Sequence, residues 1–291
     1  MNKIKLLFII NPKSGISKKR DLPELITKNI DGNLFDVSIK FSNKAGNVTE
    51  LAEVAVAENF NAVVAVGGDG SVNEVAKVLI NTDVHLGIIP CGSGNGIARA
   101  LNIPLNIIEA INIINRFETK RIDTASINNE PYLGIAGVGF EAHIASLFML
   151  SKKRGFMNYI KLVFLEFWKF QSNYLVLHVD GKEIYSGCIF TAAASNTNQY
   201  GNGAFIAPSA KADDGVLNFT IIKKVSFLNA PNTIYRLFNK SLNNSKNTIS
   251  AVGKAAVFKT DSIYFHKDGE AQTTDGEIKV RINPLSLSVI I

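Results

Sequence analysis

Apolar residues fall into two textures along the chain. Up to about residue 120, short apolar runs alternate with stretches whose apolar positions recur every three or four residues, the pattern of a parallel sheet covered by helices. Residues 6–10, 35–41, 62–66 and 86–89 read as strands, and 45–59 and 71–80 as helices between them. Past about residue 123, two-residue alternation takes over at 175–179, 184–190, 216–222, 257–265 and 278–282, with Asp-Gly and Asn-rich turns between, which predicts an antiparallel, β-rich half. The expected organisation is therefore an α/β domain over residues 1–124 and a β-rich domain over 125–291, a comfortable length for two domains. Residues 239–248 are polar enough to be a mobile loop.

Composition narrows the class without choosing a function. With 46% hydrophobic and 19% charged residues, the chain can build ordinary cores and is not of the disordered type. A net charge of +6 favours anionic partners such as nucleotide phosphates, nucleic acid or acidic lipid. Two cysteines, Cys91 and Cys188, read as reduced, buried thiols of a cytoplasmic protein. The apolar run 6–10 is too short for a signal peptide, and no stretch reaches the roughly 18 apolar residues of a membrane-spanning helix. Contact with a membrane would be peripheral.

Three strand ends carry the candidate chemistry. Gly67-Gly68-Asp69-Gly70-Ser71 turns a strand into the helix that continues Val72-Asn73-Glu74, so glycines allow close approach and the first helical turn offers free amides to a phosphate. Three glycines in four residues are more often a plain tight turn. Asp69 shifts the balance, since its carboxylate would face a nucleotide-bound metal or hold the loop's own amides. Asn11-Pro12-Lys13-Ser14-Gly15 ends the first strand, and Pro90-Cys91-Gly92-Ser93-Gly94-Asn95-Gly96 ends the fourth. Three such loops on one sheet edge would surround a polyphosphate with backbone donors. The Walker pattern is not present.

These segments, with Asp123, Asp213-Asp214-Gly215 and Asp268-Gly269-Glu270 in the same order, resemble the diacylglycerol kinase catalytic domain family, which includes bacterial lipid kinases and sphingosine and ceramide kinases. The resemblance implies an N-terminal α/β nucleotide domain with a parallel sheet like that of NAD kinases, a C-terminal antiparallel β-sandwich domain, and catalysis between them. It implies that Asn11, Pro12, Lys13, Ser14, Gly15, Ser42, Gly67, Gly68, Asp69, Gly70, Ser71, Val72, Asn73 and Ser93 bind ATP. For Ser42 a helix cap is nearly as good a reading. Diacylglycerol-type members usually carry Asn-Asp in the fourth-strand loop, whereas Asn95 is followed here by Gly96, which resembles the sphingosine-kinase side and leaves the acceptor open.

Asp-Gly is foremost a hairpin-turn signal, and Asp275-Gly276 is read as that alone. Asp268 falls where the resemblance places the general base that takes the proton of the lipid hydroxyl. Asp214 resembles the acidic ligand of a structural Mg²⁺ site, with the carbonyls of Lys211 and Val216 as companions, although it would also simply close a turn. Asp123 matches an acidic position at the domain junction, with a cap as the plain alternative. Lys152-Lys153-Arg154 precedes a segment dense in apolar and aromatic residues from Phe156 to Phe170, part core and part a surface for an acyl chain or an anionic membrane.

The function expected from these features is ATP- and Mg²⁺-dependent phosphorylation of a lipid hydroxyl, diacylglycerol-like or sphingoid-like. An NAD kinase-like enzyme and a non-catalytic nucleotide- or lipid-binding regulator are the alternatives. Expected partners are a lipid substrate and a peripheral anionic membrane surface, with no nucleic acid and with self-association into a homo-oligomer left open.

Overall fold

In the computed structural model of the chain, residues 3–12, 21–151 and 155–291 are described, apart from the side chains of Phe156 and Phe227. Lys13, Ser14 and Gly15 of the first loop, and the basic trio Lys152, Lys153 and Arg154, lie outside the described residues. Two compact units result, Met1–Ile122 with Leu285–Ile291, and Asp123–Pro284.

The first unit runs β1 (Ile4–Ile10), α1 (Leu22–Asn29), β2 (Phe35–Phe41), α2 (Asn47–Ala57), β3 (Ala62–Gly67), α3 (Asp69–Leu79), β4 (His85–Pro90), α4 (Gly96–Ala100) and α5 (Ile107–Arg116). Its strands are parallel in the order β2-β1-β3-β4. Such a sheet is covered on both faces, so β3 is buried from end to end and its sequence is a continuous apolar run rather than an alternation. The pattern missed α1 and α5. In α5 the start is set by Asn106, whose side chain accepts the amides of Ile108 and Glu109. The end of the chain also belongs here. Val289 pairs in parallel with Leu86, Ser288 Oγ meets His85 Nδ1 at 2.8 Å, and the Ile291 amide donates to Glu118 O. By packing, Leu285–Ile291 therefore groups with the first unit rather than with the rest of residues 125–291.

The second unit is built on antiparallel pairing. β5 (Thr119–Ile127) leads into β6 (Glu130–Tyr132) and β7 (Ile135–Gly139), followed by α6 (Phe140–Leu150) and α7 (Phe156–Phe167). Then come β8 (Asn173–Val179), β9 (Lys182–Ser195), β10 (Leu217–Lys223), α8 (Ala230–Phe238), β11 (Thr248–Gly253), β12 (Ala255–Thr260), β13 (Tyr264–Lys267), β14 (Glu270–Thr273) and β15 (Glu277–Ile290). Pairing runs β14-β13-β7-β9-β8-β12-β15, and β10 bridges β9 and β11. Leu175, Leu177, Phe219, Phe258, Ile278 and Val280 form its core.

Three expectations change. The strand expected over 257–265 is two strands, because Asp261 Oδ1 accepts the Tyr174 amide and Ser262 Oγ bonds Tyr264 O, which breaks the ladder and sends β13 to β7 instead of β8. The stretch 239–248 is anchored, since Leu242 is fully buried in a small second core. Cys188 is exposed rather than buried, on the stretch of β9 with an open face, while Cys91 is half-buried; neither forms a disulfide among the described residues.

β7 and β9 approach closely at Gly137, where a Cβ would collide with Ala192 O and lie 3.1 Å from Ala193 Cα. Gly32 has nothing within 4 Å of the same position. Gly137→Ala should therefore lower unfolding free energy by about 1–3 kcal/mol, and Gly32→Ala by much less, in urea titrations of the two variants.

Candidate active site

Strand order puts the candidate loops side by side. Past the last residues of the strands, backbone bonds continue across the carboxyl edge: Ser42 N to Ile10 O, Asn11 N to Val66 O, and Cys91 N to Gly67 O. Asn11 Nδ2 then reaches Ser71 Oγ in the first turn of α3 at 3.0 Å. Three of the loops read from sequence, together with Ser42, thus share one edge, as ligand sites of open parallel sheets do. Gly68 sits at the N-cap of α3 and supplies no side-chain acceptor to the first amides of that helix. Asn73 is buried there with its Oδ1 unpartnered.

The glycines divide by role. A Cβ on Gly92 would lie 2.5 Å from Gly68 Cα and 2.8 Å from Asn95 Oδ1, so Gly68 and Gly92 are where the third and fourth loops touch backbone to backbone. Asn95, at a φ of 51°, clamps its loop by accepting from Gly92 N and donating to Gly92 O. A Cβ on Gly70 would meet nothing within 4 Å, so that glycine leaves open space. Val72 turns its side chain into the core and donates its amide to Gly68 O, which makes it a packing residue of the loop. Ser93 and Pro12 are exposed, and Ser42 is buried with its amide on Ile10 O.

Asp69 holds amides of the neighbouring loop. Its carboxylate accepts from Ile97 at 3.1 Å, and also from Asn95, Gly96 and its own N–H. Burial raises its pKa and these amide bonds pull the other way, burial being the larger effect.

In the second unit Asp268 and Gly269, with φ of 48° and 83°, form the two-residue turn joining β13 to β14, since Lys267 pairs with Glu270. The turn reading and the site reading thus describe one residue. Asp268 Oδ2 accepts from Leu133 N at 2.9 Å, and Oδ1 from Gly134 N at 2.8 Å and Ile135 N at 3.0 Å. These three donors hold the carboxyl group in one orientation. The turn after β14 contains Gly276, with φ 105°, and is structural.

Lys211, Asp214 and Val216 lie on the turn before β10, where Asp214 Oδ1 accepts from Val216 N at 3.2 Å. Fully buried Asp123 ties this turn down, donating its amide to Ala212 O and accepting Gly215 N at 2.7 Å. One carboxylate and two carbonyls on an exposed turn are hard oxygen donors that suit Mg²⁺ with retained water. Among the described residues no group of three or more His, Cys, Asp or Glu side chains clusters as a metal site.

Helix α7 has two faces. Phe167 packs on Phe140 and Phe190, and Glu166 bonds His143 at 3.0 Å. Met157, Ile160 and Phe164, with Trp168 just beyond, recur three and four residues apart and are exposed. α8 adds exposed Ile234, Tyr235 and Phe238. Among the described residues no helix is long and apolar enough to cross a membrane.

Sequence reasoning missed the Asn196-Thr197-Asn198 segment after β9, the Glu141–His266 contact of 3.1 Å and the buried Lys267 paired with Glu130 at 2.8 Å. The only signal was polarity directly after the apolar run 192–194.

Comparisons with known proteins agree with this arrangement. Residues 5–127 match the diacylglycerol kinase catalytic domain, and 134–291 match the YegS C-terminal NAD kinase beta sandwich-like domain. A diacylglycerol kinase of Staphylococcus aureus is 31% identical over 74% of this chain and 70% of its own length. A diacylglycerol kinase structure from Bacillus anthracis superposes with a TM-score of 0.75, at 21% identity, covering 100% of this chain and 97% of that one. An NAD kinase of Archaeoglobus fulgidus in complex with ATP superposes with a TM-score of 0.57, at 16% identity, over 98% and 93% of the two chains.

The raised pKa of Asp69 fixes the sign of a pH effect. The folded chain holds this proton more tightly than the unfolded chain, so the contribution to stability is fully present below the ordinary carboxyl value of 3.8 and is lost as pH rises through the raised folded value. In urea titrations stepped down from neutral pH, the native protein should gain stability relative to Asp69→Asn across that window; a constant difference would contradict the assignment.

Proposed function

Because the chain belongs to the diacylglycerol kinase catalytic domain family and is on that ground a kinase, we propose that it transfers the γ-phosphoryl group of ATP to the hydroxyl of a lipid, diacylglycerol-like or sphingoid-like. The observation that carries the nucleotide half is the shared carboxyl edge, where the loop after β3 meets the loop after β4 at Gly68 and Gly92, beside the glycine-capped start of α3.

In this reading Asn11, Pro12, Lys13, Ser14, Gly15, Ser42, Gly67, Gly68, Asp69, Gly70, Ser71, Val72, Asn73 and Ser93 form the ATP site. Gly70 and Ser71 offer first-turn amides to phosphate oxygens, and the unpartnered Oδ1 of buried Asn73 is an acceptor for a donor group of the nucleotide. Asp69, Val72, Gly68 and Gly92 act through the shape of the loops. Mg²⁺ on the nucleotide supplies charge neutralisation at the transferring phosphoryl group. Lys211 O, Asp214 and Val216 O would hold a second, structural Mg²⁺ at their turn. The lipid oxygen bonds to the γ-phosphorus as the bridging oxygen leaves with ADP, and the hydroxyl proton passes to Asp268. The amides of Leu133, Gly134 and Ile135 keep that carboxylate oriented for the transfer.

We place the apolar stripe of α7 against the bilayer that delivers the substrate. Lys152, Lys153 and Arg154 precede the helix in sequence, and cations beside an aromatic stripe suit an anionic surface. The domain limits proposed are 1–124 for nucleotide binding and 125–291 for the lipid and the base.

Incubation with ATP, Mg²⁺ and a panel of diacylglycerol, monoacylglycerol, sphingoid base and NAD should give a phosphorylated lipid. Asp268→Asn should reduce kcat by about 10²–10⁴-fold. Phosphorylated NAD without lipid product would move the assignment to the NAD kinase alternative, and undiminished Asp268→Asn activity would remove Asp268 from the mechanism. In vesicle sedimentation, replacing Met157, Phe164 and Trp168 together by serine should weaken binding to anionic liposomes by at least about 100-fold, while kcat on substrate in detergent micelles stays within about twofold.

A further inference from the structure

Thr197 follows the end of β9 and is held by its backbone. Its amide and that of Asn196 both donate to Gly134 O, at 3.2 and 2.8 Å. Asn196 adds two bonds from Nδ2, to Asp123 O and Leu133 O, each 2.8 Å. The segment is therefore fixed against the same Leu133–Ile135 backbone that holds Asp268. Thr197 is 4% exposed, yet its Oγ1 has no hydrogen-bond partner within the protein.

Gly134 brings this hydroxyl and the candidate base to one place. A Cβ there would lie 2.8 Å from Asp268 Oδ1 and 3.3 Å from Thr197 Oγ1, so both oxygens flank the space a side chain would have taken. Burying a hydroxyl with nothing to bond costs more than burying the methyl of valine, which fills nearly the same volume. A threonine fixed in this position beside a proton acceptor is accounted for by a ligand hydroxyl that bonds it.

We propose that Thr197 positions the attacking hydroxyl of the lipid acceptor, a specificity-determining contact that rests on the reading of Asp268 given above. The reacting oxygen has one proton and two lone pairs. Its proton points to Asp268, one lone pair attacks the γ-phosphorus, and the other accepts the Thr197 Oγ1–H. Thr197 gains and loses no proton overall. It acts on the acceptor alone, so the nucleotide's own binding does not depend on it.

The test uses the full chain with ATP, Mg²⁺ and a water-soluble short-chain diacylglycerol or sphingoid base, which removes membrane effects. Thr197→Val should lower kcat/KM for the lipid by about 10–100-fold with KM for ATP unchanged, and Thr197→Ser should recover to within about fivefold of the native protein. Full activity in Thr197→Val overturns the proposal and leaves a bound water as the hydroxyl's only partner. Equal loss in Thr197→Val and Thr197→Ser, with matching falls in Tm, overturns it in favour of a packing role. A native protein inactive on every lipid overturns the proposed function itself, and this contact with it, whereas an active native protein inactivated by Asp268→Asn leaves the Thr197 variants to decide.

Discussion

Backbone amides at the ends of strands and helices must find acceptors once they are removed from water, and aspartate carboxylates supply many of them in this chain. Asp69 takes the amides of Asn95, Gly96 and Ile97, Asp123 takes that of Gly215, Asp180 those of Lys254 and Ala255, and Asp268 those of Leu133, Gly134 and Ile135. These bonds fix loops and the ends of the elements beside them. In the first unit the loops so fixed lie at the carboxyl edge of the parallel sheet, and in the second the segment 133–135 is the one that Asp268 holds.

Asp180 and Asp268 show how little such geometry says alone. Both begin a two-residue Asp-Gly turn with positive φ at each position, and both accept amides from another segment. Asp180 faces the start of β12 and has only a structural task. What separates Asp268 is its surroundings: a glycine at 134 that leaves room and a buried hydroxyl beside it. The glycines of the third and fourth loops divide in the same way. Gly68 and Gly92 are required by contact between two backbones, while Gly70 faces open space.

The aromatic density of 156–170 resolves through helix geometry. Phe167 and Phe170 join Phe140 and Phe190 in an aromatic cluster, and Met157, Phe164 and Trp168 stay exposed. A helix of period 3.6 separates the two sets without any change of composition between them. Core and surface readings of this segment therefore apply to different residues.

Local patterns were enough for the first sheet, because a strand covered on both faces is a continuous apolar run and a glycine-rich strand end is visible as such: β1 to β4, α2 and α3 were legible, and so was the candidate status of residues 67–73, whereas Asp268 was singled out by the family resemblance and not by its local pattern. Partners distant in sequence were not. Whether 257–265 is one strand or two depends on Asp261 meeting Tyr174, and the return of Leu285–Ile291 to the first unit depends on pairing with β4. Thr197 is an ordinary residue in sequence, and only the fold places its hydroxyl beside Gly134 and Asp268, about 60 and 70 residues away along the chain. Periodicity and turn chemistry are properties of neighbouring residues and are written in the sequence itself. The partners of a buried polar atom are set by which segments pack together, and that was decided only by the tertiary structure.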